Sequence, residues 1–179
     1  MGAEIRVMVI SLVVLVLFGT IGCDGDDKLV VIPEPVVIEP KIVLELADLN
    51  IAVGDTTQLS IKVEGLPETI FGLGMQIDFN PLVIDFDEES PFTPSEIFGS
   101  DTLTLFQVQH GTMHLSLSGT AVNEKGYFEG SLGSVVLHGA GSGTCGLVVD
   151  PEALWFVDRE GEPIPLEGLE IISGLLAVE

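Results

Sequence analysis

Few residues of this sequence could do chemistry, and their spacing does not assemble a catalytic or metal-binding set. Of the three histidines, His110 and His114 are four positions apart. That spacing brings two ligands together on a helix, but these residues fall in a strand, a turn and a strand. We therefore expect no zinc site at them, nor at His138. Since no Gly-x-Ser-x-Gly nucleophile motif occurs either, the sequence predicts a protein that is not an enzyme and uses no cofactor.

Carboxylates are concentrated in residues 85–89, where Asp85, Asp87, Glu88 and Glu89 surround Phe86. Calcium takes six to eight oxygen ligands, so such a run is a candidate calcium site. The spacing is not that of an EF-hand, and the run contains no glycine at a bend. We expect a solvated acidic loop here, with calcium binding as the alternative.

The first cysteine, Cys23, follows the hydrophobic run 7–18 and the small residues 19–22. A short apolar run that ends in small residues is typical of a secretory signal, and it is too short to span a bilayer comfortably. Cys23 resembles the lipidated cysteine of bacterial lipoproteins, which implies cleavage after Gly22 and lipid on Cys23. An ordinary signal peptide or an uncleaved anchor is the alternative.

The second cysteine, Cys145, would have no intrachain disulfide partner if Cys23 is lipidated. Its neighbours at 143–149 are small or apolar and indicate a strand. We expect a buried, unreactive thiol.

The composition bounds the partners and the location of the protein. A net charge of −22 excludes nucleic acid, because phosphate backbones would be repelled. We expect a signal peptide at 1–22, a lipidated cysteine and Pro-rich acidic tether at 23–40, and one domain at 41–179. The protein would then be extracytoplasmic and lipid-anchored to a bacterial membrane, at the cell envelope or surface.

The elements that must position these residues are β-strands. Apolar and polar residues alternate with period two at 58–64, 74–79 and 113–118, which is typical of strands with one face in the core. Further strands are expected at 41–47, 102–109, 132–138, 144–149 and 174–178, separated by Gly, Asn and Pro turns. The pattern predicts an all-β sandwich or jelly roll.

The order of several segments resembles that of cohesin domains. The segments are Val53-Gly54-Asp55-Thr56 before a strand, the glycine-rich strand 71–79 running into Asn80-Pro81, the strand 130–137, the turn 141–143 and the last strand 173–178. The resemblance covers nearly all of 41–179. It implies a nine-stranded jelly-roll β-sandwich that docks dockerin modules of other proteins, a fold that carbohydrate-binding modules share.

One departure from the family bears on the docking surface. Aligned on Asn80-Pro81, the two polar dockerin-contacting positions of cohesins fall on Gly72 and Gly74, which have no side chains to donate or accept hydrogen bonds. The outward residues that remain on this strand and a neighbouring one are expected to bind the partner. These are Gln76, Asp78, His114, Ser116 and Ser118.

The sequence therefore predicts a membrane-anchored protein-interaction module that docks a dockerin-type or other protein through one sheet face. The alternative is a carbohydrate-binding or structural surface domain on the same fold, with a polysaccharide as partner. Stacking on sugar rings needs exposed aromatic residues. Trp155 lies in an apolar run and is expected in the core, and Tyr127 is expected in a turn.

Overall fold

The computed structural model describes residues 39–67, 69–86, 92–99, 101–119 and 127–179. The expected signal peptide, Cys23, most of the tether and the acidic residues 87–89 lie outside these ranges. All described residues belong to one compact unit, Val36–Glu179. None of the helices in this part of the chain is long and apolar enough to cross a membrane.

The described chain consists almost entirely of β-strands, with two single-turn 3-10 helices at Glu96–Phe98 and Pro151–Ala153. In chain order the strands are β1 (Lys41–Leu46), β2 (Asn50–Ile51), β3 (Thr56–Pro67), β4 (Gly72–Asp78), β5 (Ile84–Phe86), β6 (Thr93–Pro94), β7 (Leu103–Gln109), β8 (Thr112–Ser118), β9 (Tyr127–Gly139), β10 (Gly143–Val149), β11 (Trp155–Val157), β12 (Glu170–Ile172) and β13 (Gly174–Val178).

The strands form two sheets. In the first sheet the order is β12-β1-β3-β9-β5, and β6 also pairs with β9. In the second sheet it is β2-β13-β10-β4-β8-β7, and β11 pairs with β4 beside β10. The predicted all-β sandwich is confirmed. The described residues contain thirteen strands rather than nine, and five of these strands are only two or three residues long.

The core lies between the sheets and is built by the period-two alternation of their strands. Alternate residues of β8 and of most of β3 are buried, as expected for strands with one face in the core, whereas on β4 the outward Gly72 and Gly74 are buried as well. The alternation in the sequence predicts that Leu59, Ile61, Ile77, Phe79, Leu115 and Leu117 are buried, and all six are. Tyr127, expected in a turn, is instead the first residue of β9.

The turn after β4 is held by Asn80. The Leu82 N–H donates to Asn80 Oδ1 at 3.0 Å, and the Val83 N–H donates to the Asn80 carbonyl at 3.0 Å. Asparagine forms this turn as aspartate would, because both offer a side-chain oxygen two residues before the donor. The Asn80 N–H donates to Cys145 Sγ at 3.1 Å, and the Cys145 thiol is buried, as predicted.

Replacing Ile77 by alanine tests the core directly. Ile77 is fully buried on β4, so Ile77→Ala should lower the free energy of unfolding by about 2–5 kcal/mol through lost burial and the cavity left behind. The control is Leu82→Ala, at a side chain 80% exposed, which should change it by about 0.5 kcal/mol or less. Urea denaturation measures both, and equal effects would contradict the described core.

Candidate functional site

The side of the second sheet that points away from the core, called the outer face below, brings the predicted partner-binding residues together. The registers of β4, β8 and β7 align their outward residues in rows across the three strands. Four rows run Asp78–Thr112–Gln109, Gln76–His114–Gln107, Gly74–Ser116–Leu105 and Gly72–Ser118–Leu103. All five predicted residues therefore lie on one surface, although their role in binding stays a prediction.

The two rows nearest the Asn80 turn are polar and ordered by hydrogen bonds. The Gln76 amide Nε2 donates to Asp78 Oδ1 at 3.0 Å, and the Thr112 hydroxyl donates to the same oxygen at 3.1 Å. Asp78 and His114 are exposed, whereas Gln76 is half-buried. The Asp78 carboxylate is thus held in a fixed orientation at the surface, where it can accept a hydrogen bond from a partner.

The two rows that contain glycine continue onto β11, which pairs with β4 along the edge opposite β8. This strand pairs with β4 so that Trp155 is opposite Gly74 and Val157 is opposite Gly72. A Cβ built on Gly74 would overlap Cε2, Cζ2 and Nε1 of the indole ring, so the ring occupies the space of a side chain at this position. Glycine in a strand permits such an approach.

Trp155 is 47% exposed, so the expectation that it belongs to the core is wrong. The apolar run around it does not continue into the core, because Phe156 alone of the three β11 residues is buried. Its ring rests on the glycine backbone of β4 and leaves the rest of its surface open to solvent. The outer face therefore carries an exposed indole at Gly74, one of the two positions at which the resemblance to cohesins implies a polar contact residue.

The far rim of the outer face is apolar as well. On β7, Leu103 is 73% exposed and Leu105 is 67% exposed. Each glycine row thus has an apolar side chain at both ends, one from β7 and one from β11. Ser116 and Ser118 lie between them. Only the two rows nearest the Asn80 turn therefore consist entirely of polar residues.

No lysine or arginine lies on the outer face within the described residues. Lys41 and Lys62 are on the first sheet, where Lys41 pairs with Glu64 at 3.8 Å and Glu170 at 3.3 Å, and Lys62 pairs with Glu45. Arg159 is in the turn after β11. Within the described residues, a partner that approaches the outer face therefore meets no lysine or arginine.

The described histidines do not converge into a metal site. In the described part of the chain, no three His, Cys, Asp or Glu side chains are close enough together to hold a metal ion. His110 is in the turn between β7 and β8, and His114 points outward from β8. Asp85 is exposed on β5, and the other carboxylates of the run lie outside the described residues.

Compared by sequence, the chain matches no protein-family model and no curated protein. Compared by structure, it is similar to the non-cellulosomal cohesin of the archaeon Archaeoglobus fulgidus, with 12% identity, a TM-score of 0.58 and coverage of 79% of this chain and 91% of that one. It is also similar to the second type II cohesin module of the ScaA scaffoldin of Acetivibrio cellulolyticus, with 17% identity, a TM-score of 0.63 and coverage of 76% and 88%.

The domain has the cohesin fold. A third similar structure is the third cohesin of ScaC from Acetivibrio cellulolyticus, which was solved in complex with the ScaB dockerin. Its identity is 11%, its TM-score is 0.60, and the match covers 78% of this chain and 98% of that one. The resemblance to cohesins found in the sequence is thereby confirmed at the level of the fold.

Two glycines on the outward side of an interior strand were the sequence signal for the position of Trp155. A glycine inside a strand often marks the close approach of another element. Gly72 and Gly74 are two residues apart on β4, so both leave the same side of the strand without a side chain. The side chains of β11 can therefore approach β4 there. Nothing in the sequence identified Trp155 as the covering residue, because β11 is only three residues long.

Adding a methyl group at Gly74 should displace the indole. Gly74→Ala places a Cβ where the Trp155 ring lies, so the ring must swing outward, its fluorescence emission should shift to longer wavelength, and stability should fall by about 1–3 kcal/mol. Trp155 is the only tryptophan, so the signal is unambiguous.

The matched control is Gly146→Ala on β10, also an outward position of the second sheet. A Cβ there would meet only Val148 Cγ2 at 3.8 Å, so emission should stay unchanged. An unchanged emission maximum in Gly74→Ala would show that the indole does not rest on Gly74.

Proposed function

We propose that this protein is an extracytoplasmic, lipid-anchored interaction module that docks a dockerin-type or other partner protein through its outer face. The observation that carries the proposal is the composition of that face. It combines an oriented carboxylate at Asp78 on the interior strand β4 with an exposed indole at Trp155 on the short strand β11, which pairs with β4. Solved cohesins of the same fold have been crystallised with dockerins, which supports a protein as the partner.

The physical argument for a protein partner rests on the mixture of groups on the outer face. Tryptophan is enriched among the residues that dominate binding energy at protein interfaces, where it is surrounded by polar groups that exclude water. Trp155 and Leu105 supply apolar area, and the rows of Asp78 and Gln76 supply hydrogen-bonding groups. Small-molecule sites are concave instead, whereas these rows span an open sheet surface.

The contact chemistry would differ from that of cohesins with polar side chains at the positions of Gly72 and Gly74. Because Trp155 covers Gly74, the partner would meet an indole there rather than a hydrogen-bonding side chain. Near Asp78 the partner would present a hydrogen-bond donor or a basic group, since the described part of the outer face carries no cation. The interaction module would be non-catalytic.

The membrane anchor of the proposal rests on Cys23 and the residues before it. Two acyl chains hold a protein stably at a membrane, whereas one chain does so only marginally. The Pro-rich tether 23–40, if extended at about 3 Å per residue, would hold the domain a few tens of ångströms from the bilayer. A docked partner would thereby be retained at the cell envelope or surface.

A carbohydrate partner is the second candidate, and the exposure of Trp155 is the observation that favours it. An indole 47% exposed on a sheet surface can stack on a sugar ring. Titration with soluble β-glucan oligosaccharides, read by the emission of this tryptophan, separates the two functions. A saturable change in emission, with binding in calorimetry that Trp155→Ala weakens, would favour the carbohydrate, and no binding by either measurement supports the protein partner.

Charge and size changes on the outer face test the docking role. Asp78→Lys removes the oriented carboxylate, and Ser116→Arg places a long side chain between Trp155 and Leu105. Each should weaken binding of a partner isolated from the organism's extracytoplasmic proteins by tenfold or more, about 1.4 kcal/mol, with little change in melting temperature.

The control variant is Gln58→Arg, an exposed residue of β3 on the first sheet, which should bind as the unmodified protein does. If Gln58→Arg abolishes binding while both outer-face variants keep it, the partner docks on the other sheet and the assignment is wrong.

The lipid anchor has its own test. Cys23→Ser removes the thiol that would carry the lipid, so the protein should move from the membrane fraction to the soluble fraction or accumulate unprocessed. Fractionation and the mass of the mature N-terminus measure the change. Membrane retention equal to that of the unmodified protein, with no lipid mass on the latter, would contradict the anchor.

A further inference from the structure

Strand β7 forms one edge of the second sheet. It pairs along its whole length with β8, from Leu103 opposite Ser118 to Gln109 opposite Thr112, and within the described residues no strand pairs with its other side. The opposite edge of the same sheet is β2, which is two residues long. In the part of the chain that the structure describes, β7 is therefore an edge strand to which another strand could add.

This edge lacks the features that usually prevent strand addition. Proteins protect long edge strands with charged side chains, prolines or bulges. The seven residues of β7 contain no charge and no proline, and the β7–β8 register has no irregularity. The chain has a net charge of −22, and yet its seven-residue edge strand carries no charge. The other strands that end a sheet in the described residues, β2, β5 and β12, are only two or three residues long.

The inward side of β7 is also incompletely covered. Its inward residues 104, 106 and 108 are half-buried, whereas the inward residues 113, 115 and 117 of the neighbouring strand β8 are buried. Beside β7 lies a groove of about 500 Å³, and its apolar lining includes Phe79, Phe86, Phe106 and Val108. A strand added to β7 would cover this opening between the sheets.

We propose that two copies of this protein associate by pairing β7 with β7 in antiparallel orientation, with the two-fold axis beside Phe106. A second copy fits because the pairing is symmetric and extends over all seven residues. It places Leu105 of each copy opposite Gln107 of the other, and outward residues opposite outward residues. Because β7 carries no charged side chain, pairing it with itself places no like charges opposite each other between two strongly acidic chains.

The pairing has a consequence for docking, although it does not depend on the proposed function. A two-fold axis perpendicular to the sheet places the outer faces of both copies on the same side of one continuous sheet. The dimer would present two docking surfaces side by side. A partner with two docking modules would bind it with higher avidity than a monomer, since the second contact is intramolecular.

Sedimentation equilibrium of the soluble chain 24–179, which keeps every described residue, tests the association. The dimer fraction should rise with protein concentration. It should also rise with salt, because salt screens the repulsion between two acidic chains. A protein that stays monomeric up to about 1 mM at about 0.5 M salt, where the Debye length falls to a few ångströms, would overturn the proposal.

Two matched double variants test the register. In Leu105→Glu with Gln107→Glu, each glutamate meets a glutamate of the other copy, and association should weaken by about tenfold or more. In Leu105→Glu with Gln107→Lys, each glutamate meets a lysine, and association should return to within about threefold of the unmodified protein. Both positions are exposed, so equal melting temperatures are expected.

Each result for the pair decides the question. Recovery in the Glu/Lys variant supports the antiparallel register through Phe106. Equal dimerisation of the two variants, or its equal loss in both, would show that residues 105 and 107 do not face each other across the interface and would overturn the proposal. Loss of partner binding without loss of dimerisation would concern the outer face alone.

Discussion

The apolar layer between the two sheets determines which residues the domain presents to its surroundings. Side chains alternate across a strand, so a shift in register by one residue would exchange the inward and outward sets. Burial of Leu73, Met75 and Ile77 therefore forces Gly74, Gln76 and Asp78 outward. The same holds for β8, where burial of its apolar residues fixes the outward positions of the serines and His114. Burial of the inward residues thus determines which residues make up the outer face.

The pairing of β11 with β4 determines which side chains the outer face presents at the two glycines. Gly72 and Gly74 leave the outward side of β4 without side chains, and β11 fills the space with Val157 and Trp155. Glycine at these positions removes two possible hydrogen-bonding groups and supplies a flat support for an indole. The oriented Asp78 carboxylate keeps a polar contact at the other end of the face.

The sequence predicted those parts of the structure in which burial of one side of a strand makes apolar and polar residues alternate. The alternation in β4 and β8 predicted both strands, their buried residues and the shared surface of the five polar residues, because one side of each strand is in the core. The sequence also predicted β7, expected at 102–109, although Leu103 and Leu105 point outward and Phe106 and Val108 inward, so that the apolar residues alone did not show which side faces the core. The prediction failed for Trp155, since three residues of strand carry no period and its position depends on two glycines about eighty residues earlier.

The most direct test of the docking surface is hydroxyl-radical footprinting of the protein with and without its partner. Trp155 and Leu105 are exposed in the free domain, and Ile172 on the first sheet provides an exposed reference. If the partner docks on the outer face, it should protect Trp155 and Leu105 and leave Ile172 unchanged. Undiminished reactivity of Trp155, together with protection of Ile172, would contradict docking on the outer face.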